Sequence, residues 1–114
     1  MSIQRIDTGK RLSHAVVHNN TVYLCGMVGK EGTPFEEQIR QVLADIDDYL
    51  AQAGSDKTKL LNATIWIDDF KYFDQLNAAW EAWLPEGCAP ARATGQVKLA
   101  SPGWLVEIIV TAAI

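Results

Sequence analysis

Two ionisable residues near the C-terminus are the strongest candidates for chemistry in this sequence of 114 residues. Arg92 lies in the segment Pro90-Ala91-Arg92-Ala93-Thr94, and Glu107 interrupts an almost wholly apolar run from Trp104 to Val110. Both segments are predicted strands. Burying a carboxylate in such a strand is costly unless something compensates its charge. An arginine on a neighbouring strand would compensate it; alternatively, the two residues would share a bound anion and a water.

Each candidate also has a simpler interpretation. Arg92 has small or uncharged neighbours, which leave the space that a carboxylate pocket needs beside a planar guanidinium; the alternative is a surface arginine on a strand. Glu107 is interpreted either as a functional carboxylate or as the partner of Lys98 or Arg92 in a structural ion pair. Asn77 falls on the apolar stripe of a predicted helix, where a core amide satisfied by the backbone is the simpler interpretation.

Composition narrows the class of protein. The chain is long enough for one domain, assigned to residues 1–114. Ten basic and 14 acidic residues give a net charge of −4, which disfavours binding to nucleic acid phosphates. We expect no signal peptide, no membrane span and a cytoplasmic location. Cys25 and Cys88 are interpreted as reduced cysteines without a functional role, with Cys25 as a small packing residue within a strand, and His14 with His18 supplies too few ligands for a zinc site.

The first half of the chain predicts a hairpin followed by a helix. Asn19 and Asn20 tolerate the positive φ of a tight turn, between strands at residues 16–18 and 21–25. A loop follows at residues 29–32. Thr33 is the expected N-cap, with Pro34 in the first turn and Glu36 completing a capping box. Apolar residues then recur at helical spacing as far as Leu50, and Gly54 is the expected C-cap.

The second half predicts a strand, a helix and two final strands. Residues 60–67 form the strand, Asp68 or Asp69 caps the helix, and the final strands cover residues 91–99 and 104–113. With a possible extra strand at residues 3–6, the order is β-β-α-β-α-β-β. The predicted fold class is α+β, with two helices on one face of a mixed sheet.

The last predicted strand is apolar on both of its faces. Trp104, Val106, Ile108 and Val110 alternate with Leu105, Ile109 and Ala113. Two helices cover only one sheet face, so a monomer would leave a large apolar patch on the other. Each buried Leu, Ile or Trp contributes about 1.5–3 kcal/mol. A closed homo-oligomer that buries the second face is therefore expected.

The sequence resembles the Rid family (YjgF-type reactive intermediate deaminases) over nearly its whole length. Five segments match the family's motifs in order: Thr21 to Gly26, Ala63 to Asp69, Phe73 with Asn77, Pro90-Ala91-Arg92, and Val106-Glu107-Ile108. The separation of Arg92 and Glu107 also fits the family pattern. The chain is most similar to a short branch of the family, with His-Asn-Asn in the first hairpin and Ala-Trp-Glu-Ala-Trp after Asn77.

The resemblance implies a chorismate-mutase-like α+β protomer that forms a homotrimer with sites between its subunits. It also implies hydrolysis of 2-imino acids and enamines, such as 2-aminoacrylate, to 2-keto acids and ammonia, without a cofactor or metal. By this resemblance Arg92 binds the substrate carboxylate and Glu107 activates the water. Gly26 provides space and backbone contacts, and Asn77 is a secondary pocket group.

Two positions depart from the common pattern of the family. Thr94 stands where many members have Cys, and Leu12 stands where many have Tyr. Both are expected to line the substrate site, and the pocket is expected to be more apolar, with a different preferred substrate. Two alternatives remain open. One is a non-catalytic trimer that binds a 2-keto acid or other small carboxylate; the other is ribonuclease activity, which the negative net charge disfavours.

Overall fold

The structure, a computed structural model, describes residues 2–114, so Met1 of the predicted domain lies outside the described residues. Seven strands and two helices follow one another along the chain. They are β1 (Gln4–Thr8), β2 (Ser13–His18), β3 (Thr21–Leu24), β4 (Met27–Val28), α1 (Phe35–Gln52), β5 (Leu60–Ile67), α2 (Phe73–Trp83), β6 (Ala91–Gln96) and β7 (Val106–Ala113). Short 3-10 turns at Lys57–Lys59 and Phe70–Tyr72 precede β5 and α2.

The strands form one mixed sheet in the order β1-β2-β3-β7-β5-β6, and β4 also pairs with β7. The pair β5–β6 is parallel, and the other pairs are antiparallel. The predicted α+β class, with a mixed sheet and two helices, is confirmed. No helix in the described part of the chain is both long and apolar enough to cross a membrane.

Side chains along each strand point alternately to the two faces of the sheet, and the two faces differ in burial. On the face under the helices, called the helix face, Ala63, Ile65 and Ile67 of β5 are fully buried, as are Val106 and Ile108 of β7. This face forms the hydrophobic core.

The opposite face, called the open face, carries Tyr23, Trp66, Glu107, Ile109 and Thr111. These side chains keep part of their surface exposed, and Tyr23 is 49% exposed. No helix covers them within residues 2–114. The predicted uncovered second face of the last strand is therefore present in a single chain.

The first hairpin agrees with its prediction. Asn19 and Asn20 have φ values of 53° and 62°, and they connect β2 to β3 in register. The start of α1 differs from its prediction. Pro34 is the N-cap and no side chain caps it, because the Thr33 hydroxyl donates instead to the carbonyl of Lys30 at 2.8 Å. The predicted capping box with Glu36 is therefore wrong.

The end of α1 also lies one residue earlier than predicted. Ala53 is the C-cap, and Gly54 follows it with φ +83°. The backbone N–H groups of Gly54 and Ser55 donate to the carbonyls of Ala51 and Leu50, which is the Schellman pattern. The glycine is needed because this left-handed conformation is strained for other residues.

Several strand ends differ from the sequence prediction by a few residues. The extra strand is residues 4–8, the strand of β6 ends at Gln96, and β7 begins at Val106. The short strand β4 was not predicted. Trp104 and Leu105 lie outside β7 because the side chain of Gln38 takes the hydrogen bond of the Leu105 amide at 2.9 Å.

Gln38 holds the segment before β7 against the start of α1. Its side chain is fully buried, and its Nε2 donates to the carbonyls of Thr33 and Gly103, both at 2.9 Å. Its Oε1 accepts from the amide of Leu105. One amide group therefore satisfies three backbone groups, and this arrangement fixes the point at which β7 starts.

We expect Gln38→Leu to lower the free energy of unfolding by about 2–4 kcal/mol, because it leaves buried backbone groups without partners. Gln52→Leu is the matched control, since Gln52 is an exposed glutamine on the same helix whose amide bonds only to Asp48. Urea denaturation of both variants measures the difference. Equal stability of the two variants would contradict the role assigned to Gln38.

Candidate functional site

A cleft opens where β2 and β4 separate. The pairing of β2 with β3 ends at Ala15 and Leu24, and the amide of Cys25 still donates to the carbonyl of His14 at 3.0 Å. Beyond this point the chain turns away from β2 and pairs with β7 as β4. The resulting half-open cleft has a volume of about 510 Å³ and is bounded by α1 on one side.

The lining of the cleft combines apolar and ionisable groups. Its apolar residues are Leu12, Met27, Val28, Ala100 and Trp104. Its remaining residues are His14, Cys25, Gly26, Asp45, Asp48, Tyr49 and Glu107. Three predicted site residues, Leu12, Gly26 and Glu107, therefore share one cleft although they are far apart in the sequence.

The Glu107 carboxylate lies against Gly26. A Cβ atom on Gly26 would be only 1.9 Å from Oε2 of Glu107, so the carboxylate occupies the space that a side chain would take. On the two neighbouring strands, Glu107 pairs with Val28 and Trp66, which are apolar. Burial raises the pKa of Glu107 above its ordinary value.

Glu107 is not part of an ion pair within residues 2–114, where the one side-chain salt bridge joins Arg40 to Glu37. The interpretation of Glu107 as a structural partner of Lys98 or Arg92 is therefore wrong for the single chain. A half-buried carboxylate without a counter-charge binds a proton more readily than usual. Such a group is suited to accept a proton from a water molecule in the cleft.

One wall of the cleft is built from residues that sequence reasoning did not select for the site. The rings of His14 and Tyr49 stack at 5.1 Å between centroids. Tyr49 donates its hydroxyl hydrogen to Oδ2 of Asp7 at 2.7 Å, and this bond raises the pKa of Tyr49 to about 12. Nδ1 of His14 lies 3.0 Å from the carbonyl oxygen of Asp7. Asp7 thus fixes both rings.

Cys25 connects this wall to Glu107. Burial, and then the nearby charge of Glu107, raise the pKa of the Cys25 thiol. The thiol therefore stays protonated in neutral solution, and it separates the carboxylate from the aromatic wall without adding charge. No local sequence pattern indicates these contacts, because they join strands β1 and β2 to helix α1.

Arg92 lies outside the cleft. It is half-buried on β6, the edge strand of the sheet, and β5 separates β6 from β7. The prediction that Arg92 and Glu107 lie on neighbouring strands is wrong. The register also pairs Arg92 with Ala63 on the helix face, whereas Glu107 pairs with Trp66 on the open face.

Thr94 and Asn77 lie on the same side of the sheet as Arg92. Thr94 pairs with Ile65 of the helix face, and its buried hydroxyl oxygen has no hydrogen-bond partner in the described part of the chain. Asn77 is half-buried on α2, and its side chain makes no hydrogen bond within residues 2–114. Asn77 is thus not the backbone-satisfied core amide that the helical stripe indicated.

A single chain therefore presents two separate groups of candidate residues. The cleft holds Leu12, Gly26 and Glu107, and the sheet edge holds Arg92 and Thr94. Arg92 makes no ion pair within residues 2–114. Across the same residues, no group of three His, Cys, Asp or Glu side chains is placed to hold a metal ion.

Comparisons with known proteins agree on one family. The family model described as Endoribonuclease L-PSP matches residues 2–114. A RutC family protein of Haemophilus influenzae is 44% identical over 115 residues, covering 98% of this chain and 98% of the relative. A crystal structure of a YjgF family member from Neisseria meningitidis has a TM-score of 0.95 at 42% identity, covering 99% of this chain and 95% of the other.

A more distant relative has a named activity. The 2-iminobutanoate/2-iminopropanoate deaminase of Capra hircus is 30% identical over 103 residues, covering 84% of this chain and 74% of that protein.

The contact between Gly26 and Glu107 generates a test by substitution. In Gly26→Ala the new methyl group forces the carboxylate to rotate out of its place, at a cost of about 0.5–1.5 kcal/mol. We expect the raised pKa of Glu107 to fall toward its ordinary value, as measured by NMR titration of its carboxyl carbon. Gly9→Ala is the matched control, because its nearest neighbour is 3.8 Å from the added Cβ. An unchanged Glu107 titration in Gly26→Ala would disprove the proposed contact.

The burial of Glu107 also predicts how stability depends on pH. Because its pKa is raised in the folded protein, the folded state loses stability as pH rises from the ordinary value of 4.5 through the raised pKa. Glu107→Gln removes the titrating carboxyl and with it this loss. The free energy of unfolding of Glu107→Gln, minus that of the wild type, should therefore be larger near pH 7 than near pH 4.

Urea denaturation at the two pH values measures this difference. Glu86→Gln, at an exposed loop position, corrects for the loss of one negative charge. An ion-paired Glu107 would give the reverse result, since Glu107→Gln would then be destabilised most at neutral pH.

Proposed function

The chain belongs to the YjgF/RutC family, and from that membership we propose that it hydrolyses 2-imino acids and their enamine tautomers to 2-keto acids and ammonia. The observation that carries this proposal is the unpaired Glu107 carboxylate, which faces an open cleft beside Gly26. The name of the goat relative, an iminobutanoate and iminopropanoate deaminase, supports the same reaction class.

Arg92 is the proposed anchor for the substrate carboxylate. Its guanidinium has no acidic partner within residues 2–114, and a planar guanidinium binds a carboxylate through two parallel hydrogen bonds. Thr94 lies two residues after Arg92 on the same face of β6, and its buried hydroxyl has no hydrogen-bond partner in the described part of the chain. We propose that Thr94 and the side-chain amide of Asn77 also bind the carboxylate end of the substrate, in support of Arg92.

The separation of Arg92 from Glu107 supports a site shared between subunits. Within one chain the two residues lie on opposite faces of the sheet, so one small substrate does not reach both. In a homotrimer with cyclic symmetry, each subunit presents its edge strand to the next one. Arg92 of one copy then meets Glu107 of its neighbour, and the open face is buried at the same time.

The proposed mechanism uses Glu107 as a proton carrier. The carboxylate takes a proton from a water molecule as the water oxygen attacks the carbon of the protonated imine. In the carbinolamine that forms, the protonated Glu107 gives its proton to the nitrogen, and ammonia leaves as the C–N bond breaks and the C=O bond forms. The hydroxyl proton passes to the Glu107 carboxylate and from there to water, which restores the starting carboxylate. The products are a 2-keto acid and ammonia. Since imines hydrolyse spontaneously in water, positioning supplies most of the acceleration.

Nuclease activity is less well supported by the chemistry of the cleft. Binding an RNA backbone requires clustered lysine and arginine side chains. The lining of the cleft contains neither, and it carries the acidic residues Asp45, Asp48 and Glu107. A small substrate whose carboxylate is bound by one arginine fits this site better than a polyanion does.

Single substitutions test the two assigned roles. We expect Arg92→Ala to raise KM and lower kcat/KM for imine hydrolysis by roughly 10²-fold, because two charged hydrogen bonds are lost. Glu107→Gln should lower kcat by roughly 10²-fold while 2-keto acid binding persists. Arg92→Lys should restore little activity, and Arg40→Ala, a surface control, should retain full activity. A wild-type protein that binds keto acids without hydrolysing imines would instead be a binding protein.

Mixing the two inactive variants tests the shared site. In trimers assembled from equal amounts of Arg92→Ala and Glu107→Gln chains, about one site in four combines an intact Arg92 with an intact Glu107. We therefore expect activity to return to about a quarter of the wild-type level after co-refolding. Each variant refolded alone is the control. Failure of the mixture to recover activity, with mixed trimers verified by light scattering, would overturn the site shared between Arg92 of one copy and Glu107 of its neighbour.

A further inference from the structure

We propose that the cleft selects 2-imino acids with large apolar or aromatic side chains over those with small ones. This inference rests on the proposed function and specifies the substrate class of the same site. It is carried by the size, shape and composition of the part of the cleft that lies beyond Gly26 and Glu107.

The cleft is much larger than a small imino acid requires. Within a single chain, without the neighbour's edge strand, its volume of about 510 Å³ lies in the range of pockets that enclose whole drug-sized ligands. The carboxylate and imine of any substrate must stay at Arg92 and Glu107 for the reaction to occur. The substrate side chain then lies in the space along α1. A side chain of only one or two carbons would not fill that space, and water would occupy most of it.

The wall of this space is rigid and rich in carbon. The hydroxyl hydrogen of Tyr49 and Nδ1 of His14 are both committed to Asp7, so neither is available to a polar side chain. Each ring is therefore held by one hydrogen bond to Asp7 and by stacking on the other ring, which restricts its rotation. A preformed aromatic wall favours a side chain that contacts it by van der Waals packing.

Leu12 stands at the mouth of the cleft with 51% of its surface exposed, although it is a large aliphatic residue. Trp104, which is half-buried, also lines the cleft. An apolar substrate side chain that enters between these residues removes apolar surface from water on both partners. A methyl or methylene side chain covers little of that surface.

Charge in the cleft disfavours acidic side chains. Asp45 and Asp48 line it, and no lysine or arginine does. Both aspartates are exposed to solvent, so water and salt weaken their repulsion of an acidic side chain and their attraction for a cationic one alike. Apolar contact is therefore the dominant source of selectivity.

The experiment compares imines made in place from alanine, norleucine, phenylalanine, glutamate and arginine by an amino acid oxidase. For the wild-type protein, kcat/KM for the norleucine and phenylalanine imines should exceed that for the alanine imine by at least about tenfold. The glutamate imine should react most slowly. In Leu12→Ala, the KM for the norleucine imine should rise, and its advantage over the alanine imine should fall by about tenfold.

Leu61→Ala is the matched control, because Leu61 is also 51% exposed but lies on β5 outside the cleft, and it should keep the wild-type ratio. Equal rates for the alanine and norleucine imines, or a fastest rate for the arginine imine, would overturn the proposed selectivity and leave the deaminase proposal intact. Failure to hydrolyse any of the imines would overturn the proposed function itself.

Discussion

The arrangement of the site depends on a carboxylate that is half-buried without a counter-charge. Such a group is unfavourable in the folded state, and it stays in place only where the surrounding structure fixes it. Here β7 is paired on both sides, and Gly26 leaves the space that the carboxylate of Glu107 occupies. The Gln38 side chain fixes the start of the same strand. The core thus offsets the cost of keeping one reactive group in an apolar setting.

The same sheet explains why assembly and activity are connected in the proposal. The helix face is buried by α1 and α2, whereas the open face, with Tyr23, Trp66 and Ile109, is covered by nothing within residues 2–114. Burying that face in a trimer contributes stability through apolar contact. In the proposed trimer, the same contact would bring the edge strand of one copy to the cleft of another. In such a protein the interface that stabilises the assembly also completes each site.

Much of the fold could be predicted from local patterns. The paired asparagines of the first hairpin, the apolar stripe of α1 and the alternation in β5 each depend on residues close in sequence. The order of the strands does not. Nothing in the segments around Arg92 and Glu107 shows that β5 lies between them, so the sequence suggested a direct ion pair that the sheet order prevents.

The cleft was predictable only in part. Glu107 was found as a charged residue within an apolar strand, whereas Gly26 and Leu12 were assigned to the site through the family resemblance. His14 and Tyr49 were missed as a pair, because they are distant in sequence and meet only through the carboxylate and carbonyl of Asp7. Asp7 itself has an unusual φ of 51°, and no sequence pattern indicates this conformation.

The proposed site contains few reactive groups, and this is consistent with the reaction proposed for it. Hydrolysis of an imine needs a positioned water, one group to move a proton and an anchor for the substrate, and no strong nucleophile. One carboxylate and one arginine therefore suffice, and the rest of the cleft is free to vary without loss of the chemistry. Variation at positions such as Leu12 then changes which side chains fit while Glu107 and Arg92 keep their roles. Selectivity and catalysis are in this way assigned to different residues of the proposed shared site.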